Sequence, residues 1–268
     1  MAVSTQLILG PILKIQRAER HIDELRLTTY PLHRNLYEIV VVHSDVGGPD
    51  EHPECYRLVY RPKHPIPEFL AVIIGDAIHN LRSALDLLAG GIIRTLPGKP
   101  LGDKRPHFPM HSERKNLEAD LSLAAIEKAL PGAKKLLLED IRPANGPNET
   151  TWRFNVLNNL DKHNLIIPAV SIAEIKNVNA RWGTGGVMYG GIDRGDAARP
   201  RVMMETGEPI TIGDDFQTTV EVKFGKGTAP FEDEAVIPTL IQIRDLVTKT
   251  VKAFGHLIEE SAKQPRNG

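Results

Sequence analysis

The stretch "IGDAIHNLRSALDLLAGG", residues 74–91, decides the fold. Ile74, Ile78, Leu81, Leu85 and Leu88 recur at helical spacing and share one side of a helix. At about 100° per residue, Asp76, Arg82, Ser83 and Asp86 all fall within about 60° of His79 on the other side. A solvated helix face usually carries Lys and Glu, and between Phe69 and Ile93 there are none. Short acid, imidazole and guanidinium groups on an otherwise apolar helix read as a partly buried polar network, because buried charge has to be paired. The alternative is a solvent-facing stripe with local pairs. Arg82–Asp86 (i,i+4) and Asp76–His79 (i,i+3) would then each contribute only about 0.2–0.5 kcal/mol.

A partner for this face lies in "NVLNNLDKHNL", residues 155–165. Asparagine is a mediocre helix former. Asn155, Asn158, Asn159 and Asn164 so close together call for hydrogen bonding across a helix pair, or else for an exposed helix end before Pro168. Thr150 or Thr151 is placed to cap this helix.

Outward from these two helices the periodicity predicts the rest. Residues 12–28 read as an amphipathic helix that Pro31 helps to end. "NLYEIVVVH" (35–43) and "ECYRLVY" (54–60) read as a β-hairpin with a long loop rich in turn formers. A long helix spans about 67–95 and ends in the loop "LPGKPLGDKRP". Shorter helices are expected at 112–121, 123–130 and 132–140. After Pro168 the period changes, and five short β-rich runs between 169 and 224 predict an antiparallel sheet. A final helix over 233–262 carries a stripe from Ile237 to Ile258, followed by the frayed tail "KQPRNG". The fold class is therefore α+β, a helical core of long helices with a mostly antiparallel sheet and a C-terminal helix packing back on the core. The expected organisation is a single domain, 1–268. Its possible subdivision is a helical part, 1–167 with 233–262, and a β part, 168–232.

Composition narrows the function classes. Hydrophobic residues are 41%, charged residues 25% and the formal net charge is -1, so bulk charge points to neither nucleic acid nor membrane. Cys55 is the only cysteine, which excludes an internal disulfide and a cysteine-based zinc site. The start has no basic segment before its apolar run, and Gly10 and Pro11 break that run, so the expected location is cytoplasmic, without a membrane partner. "GTGGVMYGG", residues 183–191, lacks the Lys-Ser/Thr ending of a phosphate-binding loop and reads as hairpin turns. No cofactor-binding motif is visible.

Three chemistries remain for the polar helices. A paired network would be structural or ligand-binding. A metal could in principle use His79, Asp86, Asp161 and His163, but the spacing matches no diagnostic pattern, and each histidine has a cationic neighbour within a turn. Metal-independent RNA cleavage needs a group to activate the ribose hydroxyl and cations to neutralise phosphate. His79, Arg82, Asp86, Lys162 and His163 would supply these as catalytic residues if the helices meet. His43 and His52 in the hairpin read as a solvated loop.

"IHNLRSALDLLA" (78–89) and "LNNLDKHNL" (157–165) together resemble an uncharacterised bacterial protein family with Asn-Leu-Arg-Ser-Ala-Leu-Asp and Leu-Asp-Lys-His helices, over about residues 66–260. The first motif is also similar, more distantly, to HEPN domains. That resemblance implies a helical protein, commonly a homodimer, often an RNA-cleaving component of toxin or defence systems, with an Arg followed four to six residues later by a His. Here Arg82 is present and Leu87 stands at the histidine position. Asn164 likewise stands where the first family has Arg.

Overall fold

The structure is a computed structural model that describes residues 3–44, 55–64, 66–95, 106–143, 149–163, 168–184, 186–196, 200–213 and 217–263. Helix α1 (Val3–Leu36) leads into strands β1 (Tyr37–Ser44) and β2 (Cys55–Pro62), and then α2 (Phe69–Thr95). Next come α3 (Arg114–Glu118), α4 (Leu121–Ala129), and α5 (Ala133–Lys135), which continues as a π-helical turn, Leu136–Ile141. Helix α6 (Glu149–His163) precedes β3 (Pro168–Trp182), β4 (Gly186–Asp196), β5 (Arg201–Thr206), β6 (Ile210–Ile212) and β7 (Gln217–Phe224), and α7 (Val236–Lys263) ends the described chain. The fold is α+β, with antiparallel sheets and the C-terminal helix packed on the helical core.

The chain forms two compact units. One gathers residues 1–25, 69–166 and 227–268; the other gathers 26–68 and 167–226. The hairpin, which the sequence subdivision groups with the helices, clusters instead with the later strands.

In the helical unit α2 is central and packs on α4, α6 and α7. Leu70, Ile74, Ile78, Leu81, Leu85, Leu88 and Ile92 are all buried, which explains why this helix is the most apolar. Facing it, α7 buries Leu240, Ile243, Val247, Val251, Phe254 and Ile258, spaced at turns of a helix. At about 1.5–3 kcal/mol per large apolar side chain, these two stripes are a main source of stability.

Helix α1 corrects the sequence reading. It starts at Val3 and runs through both Pro11 and Pro31 instead of spanning 12–28. Proline inside a helix loses a backbone hydrogen bond and clashes with the preceding turn, at a cost of about 3 kcal/mol. At Pro11 the compensation is burial: Leu7, Pro11, Ile15, Ala18, Ile22 and Leu25 form one continuous buried stripe. The α6 cap is also corrected, because Thr150 and Thr151 lie inside the helix that begins at Glu149.

In the other unit β1 and β2 pair antiparallel, from Tyr37↔Pro62 to Ser44↔Cys55, with β5 on the far side of β2. Strand β3 pairs with β4 along one edge and, end to end, with β7 and β6 along the other. Trp182 pairs with Gly186 where β3 gives way to β4, so the glycine-rich run belongs to a hairpin. Gly183 has φ 54°, the left-handed region that favours glycine. Cys55 is free and buried in β2. The hairpin loop with His52, the loop 96–105 and the tail after Lys263 lie outside the described residues.

Candidate polar site between helices α2 and α6

Arg82 and Asp86 anchor one end of the polar face. Arg82 is 7% exposed. A guanidinium has five N–H donors, and this one makes four hydrogen bonds and a further ion-pair contact within the protein. Nε donates to Asp86 Oδ2 at 3.2 Å and Nη2 pairs with Asp86 Oδ1 at 3.0 Å. Nη2 also donates to the Phe108 carbonyl at 2.9 Å, while Nη1 reaches Met110 Sδ at 2.8 Å and Asn155 Oδ1 at 3.2 Å. Asp86 Oδ1 in turn accepts from the Phe108 N–H at 2.9 Å. One side-chain pair thus ties α2 to the extended segment 106–110 and to α6. Phe108 is itself buried, edge-on to Phe254 of α7.

Two turns earlier, α6 meets α2 again at Gly75. A Cβ on Gly75 would lie 2.6 Å from Asp161 Oδ1. The missing side chain lets the Asp161 carboxylate lie directly against α2. Burial lifts the Asp161 carboxyl above its ordinary range; His79 pulls it down and Asp76 pushes it up. These three groups therefore form one electrostatic cluster. Asp76 and His79 are exposed, and Asp161 is half-buried. His79 Nε2 also lies 3.5 Å from Ser83 Oγ.

Asn158 sits between the two contact points on α6. It is 2% exposed, and its Nδ2 has no hydrogen-bond partner among the described residues. On the other flank of α2, Lys14 of α1 donates to Asn80 Oδ1 at 3.2 Å, and Asn80 Nδ2 donates to the Asp76 carbonyl at 2.7 Å.

The structure therefore brings Arg82 and Asp86 together in one clamp, and His79 with Asp76 and Asp161 in a neighbouring cluster. Lys162 is exposed on α6. His163 is the last residue of that helix, and its side chain lies outside the described part. Among the described residues no three His, Cys, Asp or Glu side chains are arranged to hold a metal ion. Among them, too, no helix is long and apolar enough to cross a membrane.

Sequence reasoning passed over a second cluster. Asp120 caps α4 with Oδ1, which accepts from the Ser122 and Leu123 N–H groups at 2.6 and 3.1 Å. Its Oδ2 faces His111 Nε2 at 2.7 Å and His107 Nε2 at 3.4 Å. His107 Nδ1 is 3.2 Å from Ser122 Oγ. Burial works to raise the Asp120 carboxyl, but the hydrogen bonds from His107, His111 and the Leu123 N–H outweigh it and hold the group well below the usual carboxylate range. The available signal was the pair of histidines in "HFPMH" (107–111), followed by an Asp one residue before a helical run.

No protein-family model matches the chain, and no curated protein or solved structure matches it either.

Proposed function

We propose that the face between α2 and α6 is the ligand-binding site of a binding protein, with the Arg82–Asp86 clamp as its structural support. The observation that carries this reading is the use of the Arg82 guanidinium, which makes four hydrogen bonds and a further ion-pair contact inside the protein. An Arg that stabilises a reacting phosphate needs N–H groups aimed at the developing charge. Here they are aimed at Phe108, Met110, Asn155 and Asp86. The neighbouring groups Asp76, His79 and Asp161 are acceptor-rich. Two carboxylates and an imidazole suit a small ligand carrying a cationic N–H group, because charge-assisted hydrogen bonds are roughly twice as strong as neutral ones.

The test is thermal melting of the full chain with spermidine, agmatine and arginine, beside Asp76→Asn and Asp161→Asn. A saturable rise in Tm with one of these, lost in both variants, supports the reading. No rise, or a rise that both variants retain, overturns it. Mixed RNA is incubated in parallel. Cleavage abolished by His79→Ala would replace the binding reading with a nuclease that uses His79.

A further inference from the structure

Asp120 divides its two carboxylate oxygens between different tasks. Oδ1 alone accepts both N–H groups at the start of α4, which is the full requirement of a helix cap. Oδ2 is left over for two imidazoles. A cap has no need of them.

The two histidines differ. His107 has contacts at both ring nitrogens, Nε2 toward Asp120 and Nδ1 toward Ser122. Ser122 is 2% exposed, so its hydroxyl is closed to any substrate and the Ser–His–Asp order is not a nucleophilic triad. His111 is different. Its Nε2 lies 2.7 Å from Asp120 Oδ2, its backbone N–H is held by the Pro143 carbonyl at 3.1 Å, and its side chain is 31% exposed. A carboxylate only accepts hydrogen bonds, so it fixes the neutral imidazole with its proton on Nε2 and its lone pair on Nδ1. An exposed imidazole oriented in this way by a buried acid is the arrangement that general bases use.

We propose that His111 and Asp120 form a proton-accepting dyad at a second site in the helical unit, separate from the α2–α6 face. His111 Nδ1 is the acceptor, and the ligand is a small molecule that presents an O–H group to it. In the step itself, the O–H bond breaks: its proton moves to Nδ1, its electron pair stays on the ligand oxygen, and the imidazole becomes an imidazolium whose Nε2–H remains on the Asp120 carboxylate. His107 shares the Asp120 oxygen but takes no part in this step.

Asp120→Asn tests this sharply. Asparagine caps helices as well as aspartate does, so α4 is retained. The cap needs the side-chain oxygen for two N–H groups, which turns the amide NH2 toward His111. Nε2 must then accept, and the ring proton moves to Nδ1. Ring 15N NMR at a pH where the imidazole is neutral reads the tautomer, and diethyl pyrocarbonate followed by peptide mapping reads the reactivity of the free lone pair.

The expected result is an Nε2–H tautomer for His111 in the wild type and an Nδ1–H tautomer in Asp120→Asn, with carbethoxylation at His111 slowed at least tenfold. His107→Ala is expected to leave the His111 tautomer unchanged and to alter its reactivity less than threefold. A wild-type Nδ1–H tautomer, or a His111 reactivity unchanged in Asp120→Asn, overturns the proposal. Circular dichroism of each variant shows whether the fold is kept; should Asp120→Asn unfold, the wild-type tautomer alone decides.

Discussion

Arg82 grips Asp86 one helical turn further along α2 through two contacts, Nε to Oδ2 at 3.2 Å and Nη2 to Oδ1 at 3.0 Å, with the guanidinium almost fully enclosed. Helical i,i+4 pairs on a surface contribute only a few tenths of a kcal/mol, on the order of 0.3–0.5. This pair is different because Arg82 also holds the Phe108 carbonyl and Asn155, and because Asp86 holds the Phe108 N–H. Arg82→Ala leaves those acceptors and a partly buried carboxylate without their donor. The expected loss is about 2–4 kcal/mol in denaturant melts. A loss below about 0.5 kcal/mol, the value for an exposed pair, would show that the network is not holding the segment 106–110 in place.

Asp161 and Asp120, both in the helical unit, respond to pH in opposite senses. Asp161 has a raised folded pKa, so its ionisation opposes folding at neutral pH. Asp161→Asn is expected to be more stable than the wild type at pH 7. That gain should shrink as pH falls through the raised folded value toward the ordinary carboxylate value of about 4, below which the wild-type acid is protonated in both states. Asp120 has a lowered folded pKa, so its contribution is present above about pH 4 and is lost as pH falls through the acid range. Asp120→Asn is expected to cost about 1–3 kcal/mol at pH 7, and less in acid. Melts of both variants from pH 7 to pH 3 check the two signs. Parallel rather than opposed differences would mean that the environments of these two carboxyls are wrongly assigned.

Part of this arrangement was legible in the sequence. The absence of Lys and Glu around His79 pointed to a partly buried polar network, which holds at Arg82 but not at the exposed Asp76 and His79, and the asparagines of 155–164 pointed to α6, where Asn155 does meet Arg82. The long-range partners were not legible. Phe108 and Met110 reach Arg82 through a backbone carbonyl and a thioether, groups that carry no sequence pattern. Pro11 read as a breaker because local propensity cannot include the burial that α1 gains along Leu7, Ile15 and Ile22. The π-helical turn 136–141 has an apolar run that any helix would share. Asp120 was hidden for another reason: it fell inside the expected helix 112–121, whereas it lies between helices and caps α4, Leu121–Ala129.

Gly75 and Gly255 are both buried helical glycines, yet they are expected to respond oppositely to a larger side chain. At Gly75 an added Cβ would sit 2.6 Å from Asp161 Oδ1 and 2.9 Å from Oδ2. Gly75→Val adds two further methyl groups at this contact and is expected to destabilise by about 1–3 kcal/mol, the usual cost of overpacking. At Gly255 the nearest atoms are Ile8 Cγ2 at 3.7 Å and Cδ1 at 3.8 Å, ordinary contact. Gly255→Ala is expected to stabilise by about 0.5–1 kcal/mol through helix propensity alone. Thermal melts of the two variants check this. A stabilised Gly75→Val would show that Asp161 is free to turn away from α2.

The expectation, read from the sequence, that this helix resembles an RNA-cleaving motif leads to the last prediction, which concerns Leu87. In that motif a histidine would replace Leu87 and act with Arg82. Five residues at about 100° each separate the two positions by about 140° around the helix axis. The contacts agree: Arg82 faces Phe108 and Asn155, whereas Leu87 Cδ1 lies 3.7 Å from the Cβ position of Gly10 on α1 and the side chain is 40% exposed. A histidine at position 87 would therefore stand on the α1 side, out of reach of a guanidinium whose nitrogens are engaged elsewhere. The wild type and Leu87→His are both expected to leave mixed RNA intact in metal-free buffer, at rates indistinguishable from Arg82→Ala. Gel assays over several hours provide the measurement. Cleavage that appears with Leu87→His and disappears on adding Arg82→Lys, which keeps the charge but loses the fork of donors, would show that the clamp opens in solution and that this face is a nuclease site lacking only its histidine.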